Sequence, residues 1–228
     1  MTVFSRIIVN SRDRRALYVF SSLERLHAVI ARATNSENQS GQGRTLWRLD
    51  NASHSTLQRL YIVSPSVPDY SVFEEELGVN AEDDCSSCEY EPFLSRLECG
   101  QEWAFRITVN PTHSPVSETP GVRGHRKPII RRDEQEEWLF RKFQKIGCHM
   151  TINRLEQPEV AIRGAQEVSF RKRGTTVTLT RVTFEGILSI DDPDTLRKAL
   201  AEGIGSAKAY GCGLLTLAPL QARVIDKL

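Results

Sequence analysis

The sequence predicts an α+β fold of two tandem β-α-β-β-α-β units, and three observations carry that expectation. Strand-like and helix-like periodicities alternate in that order between residues 3 and 97. The same order returns between residues 102 and 220, with longer insertions. The short polar stretch Glu98–Glu102 separates the two runs and is the expected joint, giving units over residues 1–97 and 102–220.

In the first unit, Val3–Val9 alternates as a strand, and Leu23, Leu26, Ile30 and Ala33 recur at helical spacing after it. Thr45–Leu49 and Leu57–Val63 read as two strands around the polar turn Asn51–Thr56, and Ser71–Leu77 as a short helix. The fourth strand is expected in Tyr90–Leu97, beyond an acidic loop at Asn80–Cys88. This is the ferredoxin-like order.

In the second unit, Trp103–Asn110 alternates as a strand, and Pro111–Arg132 is a Pro/Gly-rich basic insertion. Asp133 and Glu136 have the spacing of a capping box, opening a helix that ends before Gly147 with Leu139, Phe143 and Ile146 toward the core. Val168–Arg171 and Thr176–Thr180 flank a turn at Lys172–Thr175 and predict a hairpin, with Val182–Ile190 as a further strand. Asp192–Glu202 reads as a helix begun at Pro193, and Leu214–Leu217 closes the sheet.

At 228 residues and 39% hydrophobic, the chain has enough apolar material for a sizeable core. It holds no apolar run near the ~20 residues that span a bilayer, and Arg6, Arg12, Arg14 and Arg15 occupy the region where a signal peptide needs an apolar core. A cytoplasmic protein without membrane attachment is expected. The formal charge of +1 does not mark a nucleic-acid binder, and its distribution matters more: residues 121–132 hold Arg123, His125, Arg126, Lys127, Arg131 and Arg132 with no acid, whereas Glu74–Glu76 and Glu82–Asp84 hold acids with no base, so opposite faces are expected to differ in sign. Five cysteines without a secretory signal argue for free thiols. Cys85 and Cys88 have the spacing of half a zinc site, and no second pair completes four ligands, so neither metal nor other cofactor is expected.

The ending of the chain concentrates chemistry. Gly203, Gly205, Gly211 and Gly213 surround Lys208 and Tyr210 just before an apolar strand. Glycine permits positive φ and leaves amide N–H groups uncovered, so this loop either cradles a phosphate beside Lys208 or serves close packing between helix and strand. On the first predicted helix, His27 falls at the edge of the apolar stripe, where it either faces a cleft or is a satisfied boundary residue.

The glycine-rich ending resembles the terminal loop of the repeat-associated RNA-processing proteins of CRISPR systems, and within that superfamily the chain is most similar to the CasE family of the type I-E Cascade complex. The segments Ser5–Asn10, Leu26-His27, Leu46–Leu49, Pro68–Val72, Phe105–Pro111 and Phe184–Gly186 fall in the family's order, so the resemblance runs from about Thr2 to Pro219. It implies tandem ferredoxin-like domains and an endoribonuclease that cuts CRISPR precursor RNA at each repeat hairpin and stays bound within Cascade.

The resemblance also places His27 at the family's catalytic histidine. RNA carries its own nucleophile, the 2′-hydroxyl, so cleavage to a 2′,3′-cyclic phosphate and a 5′-hydroxyl needs proton transfer and charge stabilisation but no metal. A histidine, with its ordinary pKa near 6.5, suits either proton transfer. Arg32 lies where relatives carry a basic residue. On an ideal helix it points about 140° away from His27, so it reaches the cleft only if the helix ends early; otherwise it is solvated. Glu24 stands where relatives often carry tyrosine, either accepting a hydrogen bond from His27 or facing solvent, and Tyr210 is the substitute phenol. RNA gripping falls to Arg123, Arg126, Lys127, Arg131 and Arg132, to Arg171, Lys172 and Arg173 at the hairpin turn, and to the glycine loop around Lys208. A non-catalytic hairpin-binding subunit of the same complex is the alternative.

Overall fold

The computed structural model describes residues 2–35, 43–51, 55–114, 126–172 and 174–220. Arg123, His125 and Arg173 of the expected RNA-binding set lie outside those residues.

The first sheet is built around β1 (Val3–Asn10), whose alternating burial sends Val3, Ile7 and Val9 into the core. A short helix α1 (Arg14–Phe20) follows, opened by the Asp13 carboxylate accepting from the Arg15 amide, then α2 (Leu23–Ala33), which buries Leu23, Leu26, Val29 and Ile30. Two strands, β2 (Leu46–Asn51) and β3 (Leu57–Ser64), precede α3 (Tyr70–Leu77), capped by Asp69 and ended by Gly78 in the left-handed region. A turn of helix, α4 (Ala81–Asp84), leads into β4 (Cys85–Glu89). The sheet order β2-β3-β1-β4, antiparallel throughout, is that of a ferredoxin-like unit.

One expectation fails here. The fourth strand is Cys85–Glu89, not Tyr90–Leu97; the latter holds the short helix α5 (Glu91–Leu94), where Pro92 fits a first turn that needs no amide donor. Cys85 and Cys88 therefore sit three apart on one strand and point to opposite faces, which rules out a shared metal through that pair. Burial, with Asp84 nearby, pushes the Cys85 thiol up to about 11.

The second sheet starts with β5 (Glu102–Val109), followed by the small pair β6 (Thr112–His113) and β7 (Lys127–Pro128), helix α6 (Arg132–Lys145) and β8 (Cys148–Met150). A long hairpin of β9 (Val160–Lys172) and β10 (Thr175–Ile190) leads to α7 (Pro193–Glu202), a 3-10 turn at Lys208–Tyr210 and β11 (Leu215–Ala218). The order β11-β5-β10-β8 repeats the first sheet, with β9 added against β10. The segments Thr176–Thr180 and Val182–Ile190, expected as separate strands, are one continuous β10; a register shift at Thr183/Phe184 bulges the partner strand at Arg163 instead of breaking β10. The capping box does not form: α6 opens two residues early, with Arg131 at the N-cap and its guanidinium 2.5 Å from Asp133.

The two sheets share their cores. Leu46 and Val63 of the first pack among Phe105, Leu139 and Phe184 of the second, and Phe170, Leu179 and Tyr210 of the second pack with Leu23, Leu26 and Trp47 of the first. The seam is stitched by Arg48, 1% exposed, whose guanidinium pairs with Asp50 at 2.7 and 2.8 Å and donates to the carbonyls of Arg106 and Leu214 and to the Thr216 hydroxyl. Arg197 on α7 makes a second stitch, donating to the carbonyls of Leu94 and Leu97.

Candidate active site and RNA interface

His27 projects from the middle of α2 into a cleft of about 490 Å³ bounded by Arg44, Thr45, Trp47, Ala207 and Lys208. Its ring meets that of Tyr210 edge-on at 6.0 Å, and Tyr210 in turn lies 4.5 Å from Phe170 of β9. Three distant stretches thus meet around one imidazole: α2, the terminal glycine loop and the hairpin strand β9.

The loop is held there by its glycines. Gly211 has φ +71°, and a Cβ on it would come 2.6 Å from the Trp47 ring; Gly203 has φ +77° and faces Leu46 at 2.7 Å. The Trp47 indole N–H closes the joint by donating to the Ala209 carbonyl at 3.2 Å. Close packing is therefore the direct duty of these glycines, and by bringing the loop onto β2 it delivers Lys208 and Tyr210 to His27. Gly211→Ala is expected to cost about 2 kcal/mol, since it combines positive φ with overlap of a rigid ring, and to lower the melting temperature by roughly 4–8 °C. A thermal melt of the variant at wild-type temperature would remove this role.

The cations of the cleft are Lys208 and Arg44. Lys208 donates to the Glu202 carbonyl at 2.7 Å, and its pKa is lowered, first by burial and then by the neighbouring Arg44. Glu202 is the carboxylate that acts on Lys208 in the opposite sense, and it does not line the cleft, so the two like charges there favour an anion. Arg44 was not foreseen from the sequence, because it precedes β2 in a stretch with no pattern of its own.

Arg32 is not brought to the cleft. Helix α2 runs on to Ala33, and the guanidinium of Arg32 binds Glu75 and Glu76 of α3 at 2.9 and 2.8 Å on the far flank. Glu24 lies in the first turn of α2, one turn before His27 and partly exposed. His149 pairs with Asp191 at 2.8 Å, away from this cleft, and His113 sits on β6. His54 lies outside the described residues.

Among the expected RNA-gripping residues, Arg126, Lys127 and Arg132 are exposed, and Arg171 is exposed near the hairpin tip; the position of Lys172 is known only as the last residue of β9. Arg131 is spent locally on Asp133 and Glu134. An addition from α6 was not foreseen. Lys142, over the Trp138 ring, has its pKa lowered first by burial and then by Lys145, Arg126 and Arg141, so Arg126 and these bases of α6 lie within electrostatic reach of one another. Helical spacing mixes these bases with Glu134, Glu136 and Glu137, which hid them in the sequence. Among the described residues, no cluster of three metal-ligating side chains occurs and no helix is long and apolar enough to cross a membrane.

This arrangement has counterparts. Residues 3–219 match the family described as CRISPR associated protein. The CRISPR-associated endoribonuclease Cse3 of Thermus thermophilus is 25% identical over 221 residues, covering 94% of this chain and 99% of that protein. The CRISPR system Cascade subunit CasE of Escherichia coli is 31% identical over 132 residues, covering 55% of this chain and 62% of the relative. A solved structure of Thermus thermophilus Cse3 bound to an RNA representing a pre-cleavage complex superposes with a TM-score of 0.78 at 25% identity, over 96% of this chain and 99% of that one. With its two ferredoxin-like sheets and its histidine-bearing α2, the chain belongs to the CRISPR associated protein family, in the group of Cse3 and CasE.

Proposed function

We propose that this chain is an endoribonuclease that binds the repeat hairpin of CRISPR precursor RNA, cuts it without a metal ion and stays on the product as a Cascade subunit in the cytoplasm. The convergence of His27, Lys208 and Arg44 on one cleft carries this reading. The names of the relatives support it, one an endoribonuclease and the other a Cascade subunit. In the reaction the 2′-oxygen bonds to phosphorus and the 5′-oxygen leaves; one proton departs the 2′-hydroxyl and one reaches the 5′-oxygen. His27 performs one of these transfers. Lys208 and Arg44 stand where the extra negative charge of the transition state gathers. The unit of residues 1–97 supplies the imidazole. The unit of residues 102–220 supplies Lys208 and most of the surface that grips RNA.

Incubating the protein with a labelled repeat hairpin in EDTA tests the reading. Cut RNA bearing a 2′,3′-cyclic phosphate supports it, whereas a shifted but intact band establishes the non-catalytic binding subunit instead. Lys208→Ala is expected to slow single-turnover cleavage about 10²-fold, the scale for losing one stabilising donor at a developing oxyanion. Arg32→Ala should stay near the wild-type rate, because Arg32 is committed to α3. Reversed effects would move the cation to Arg32. Neutralising Arg126, Lys127 and Lys142 together should weaken hairpin binding and flatten the dependence of log K on log salt by about 2. An unchanged slope would place the RNA on another face.

A further inference from the structure

The terminal loop is tied to the rest of the molecule at two places that hold different parts of it. Ala207 at φ +60° and Gly211 at φ +71° lie in the left-handed region on either side of the Lys208–Tyr210 turn, so neither α7 nor β11 extends through it. The Trp47 indole holds the backbone, at the Ala209 carbonyl. The Tyr210 side chain is held by rings: Phe170 lies 4.5 Å away, tilted by 52°, and His27 lies 6.0 Å away, turned by 65°. Both arrangements fall among the tilted and edge-to-face geometries that aromatic pairs prefer.

Phe170 is the rigid member of the three. It stands opposite Val177 in the β9–β10 ladder, and the alternation that exposes Ser169 and Arg171 turns Val168 and Phe170 inward, onto the cluster of Leu23, Leu26 and Ile30 from α2. At 8% exposure it is fixed by strand pairing and by packing. Tyr210 is carried on a single 3-10 turn, and the His27 side chain, partly exposed on the cleft, turns about two torsions. A proton-transfer group works only when its nitrogen is aimed, and side chains are aimed by neighbours whose own rotamers are locked. Filling the core asks only for apolar volume at Phe170. Aiming His27 asks for its flat ring.

We propose that Phe170 is a positioning residue that sets the direction of the His27 imidazole through Tyr210. The hairpin strand β9 then has a duty at the reacting group besides displaying Arg171 at its exposed end. The kinetic side of this claim rests on the nuclease reading above, and the geometric side stands without it.

The test uses the full chain carrying Phe170→Leu, Tyr210→Leu or both, since leucine keeps apolar volume and removes the ring; Phe170→Met replaces Phe170→Leu if a thermal melt shows the latter unfolded. With carbon-13-labelled histidine, NMR reads the nuclear Overhauser contact between the His27 imidazole protons and the Tyr210 ring, assigned by its loss in His27→Ala. Phe170→Leu is expected to abolish that contact in a folded protein. Single-turnover cleavage of the repeat hairpin should fall about 10- to 10²-fold in Phe170→Leu at unchanged hairpin affinity, the scale for a misaimed group. It should fall as far in Tyr210→Leu and no further in the double variant, because both changes break one chain of contacts. A His27–Tyr210 contact that survives Phe170→Leu overturns the proposal. So does a double variant whose rate loss is the product of the single losses, which leaves Phe170 a core residue alone, or a parallel loss of affinity, which makes it a binding residue. Wild-type protein that leaves the RNA uncut removes the nuclease reading instead, and the NMR comparison then decides the positioning by itself.

Discussion

His27→Ala is expected to lower single-turnover cleavage of a repeat hairpin by about 10²–10⁴, the usual contribution of one positioned acid or base, while hairpin affinity stays within about twofold. The split follows from geometry. His27 sits inside the cleft beside Tyr210, whereas Arg126, Lys127 and the bases of α6 lie on the other unit. Phosphate contacts carry most of the affinity and the imidazole carries the proton, so removing one leaves the other. Wild-type cutting by the variant would end the assignment of His27. Loss of binding in parallel with loss of cutting would make it a binding residue.

Arg48→Met is expected to destabilise the protein by about 3–5 kcal/mol, because it strips a buried carboxylate of its main partner and leaves the carbonyls of Arg106 and Leu214 short of a donor. For a chain of this size that is a fall in melting temperature on the order of 10 °C. The effect should spread to function, since Arg48 ties β2 to β5 and β11 at the seam beside which the glycine loop is seated. Adding Asp50→Asn should restore part of the loss by removing the stranded charge. A melt within about 2 °C of wild type for Arg48→Met would show that Arg106 alone satisfies Asp50 and that the stitch is dispensable.

Most of the fold was legible because its strands and helices carry their own patterns. Val3–Val9, the Leu23–Ala33 stripe, Asp69 before α3 and Asp192-Pro193 before α7 are local signals, and the structure follows each within a residue or two. The misplaced fourth strand had no such signal. Cys-Ser-Ser-Cys-Glu has neither branched residues nor alternation, and it becomes a strand only because β1 offers it an edge to pair with. The apolar Tyr90, Phe93 and Leu97 drew the assignment instead; Tyr90 and Leu97 are buried and Phe93 is packed against the core from a helical turn.

By itself the sequence determined the order of elements, the doubled plan and the histidine at the edge of a helical stripe, because propensity and amphipathic periodicity act within a dozen residues. Only the tertiary structure decided who stands next to that histidine. Arg32, five residues away, is turned by the helix toward the acids of α3, while Lys208 and Tyr210, about 180 residues away, are brought in by glycines that let their loop lie against Trp47. Such contacts depend on steric fit and on the buried Arg48 link between two sheets, and these are properties of surfaces that no local stretch of the chain contains.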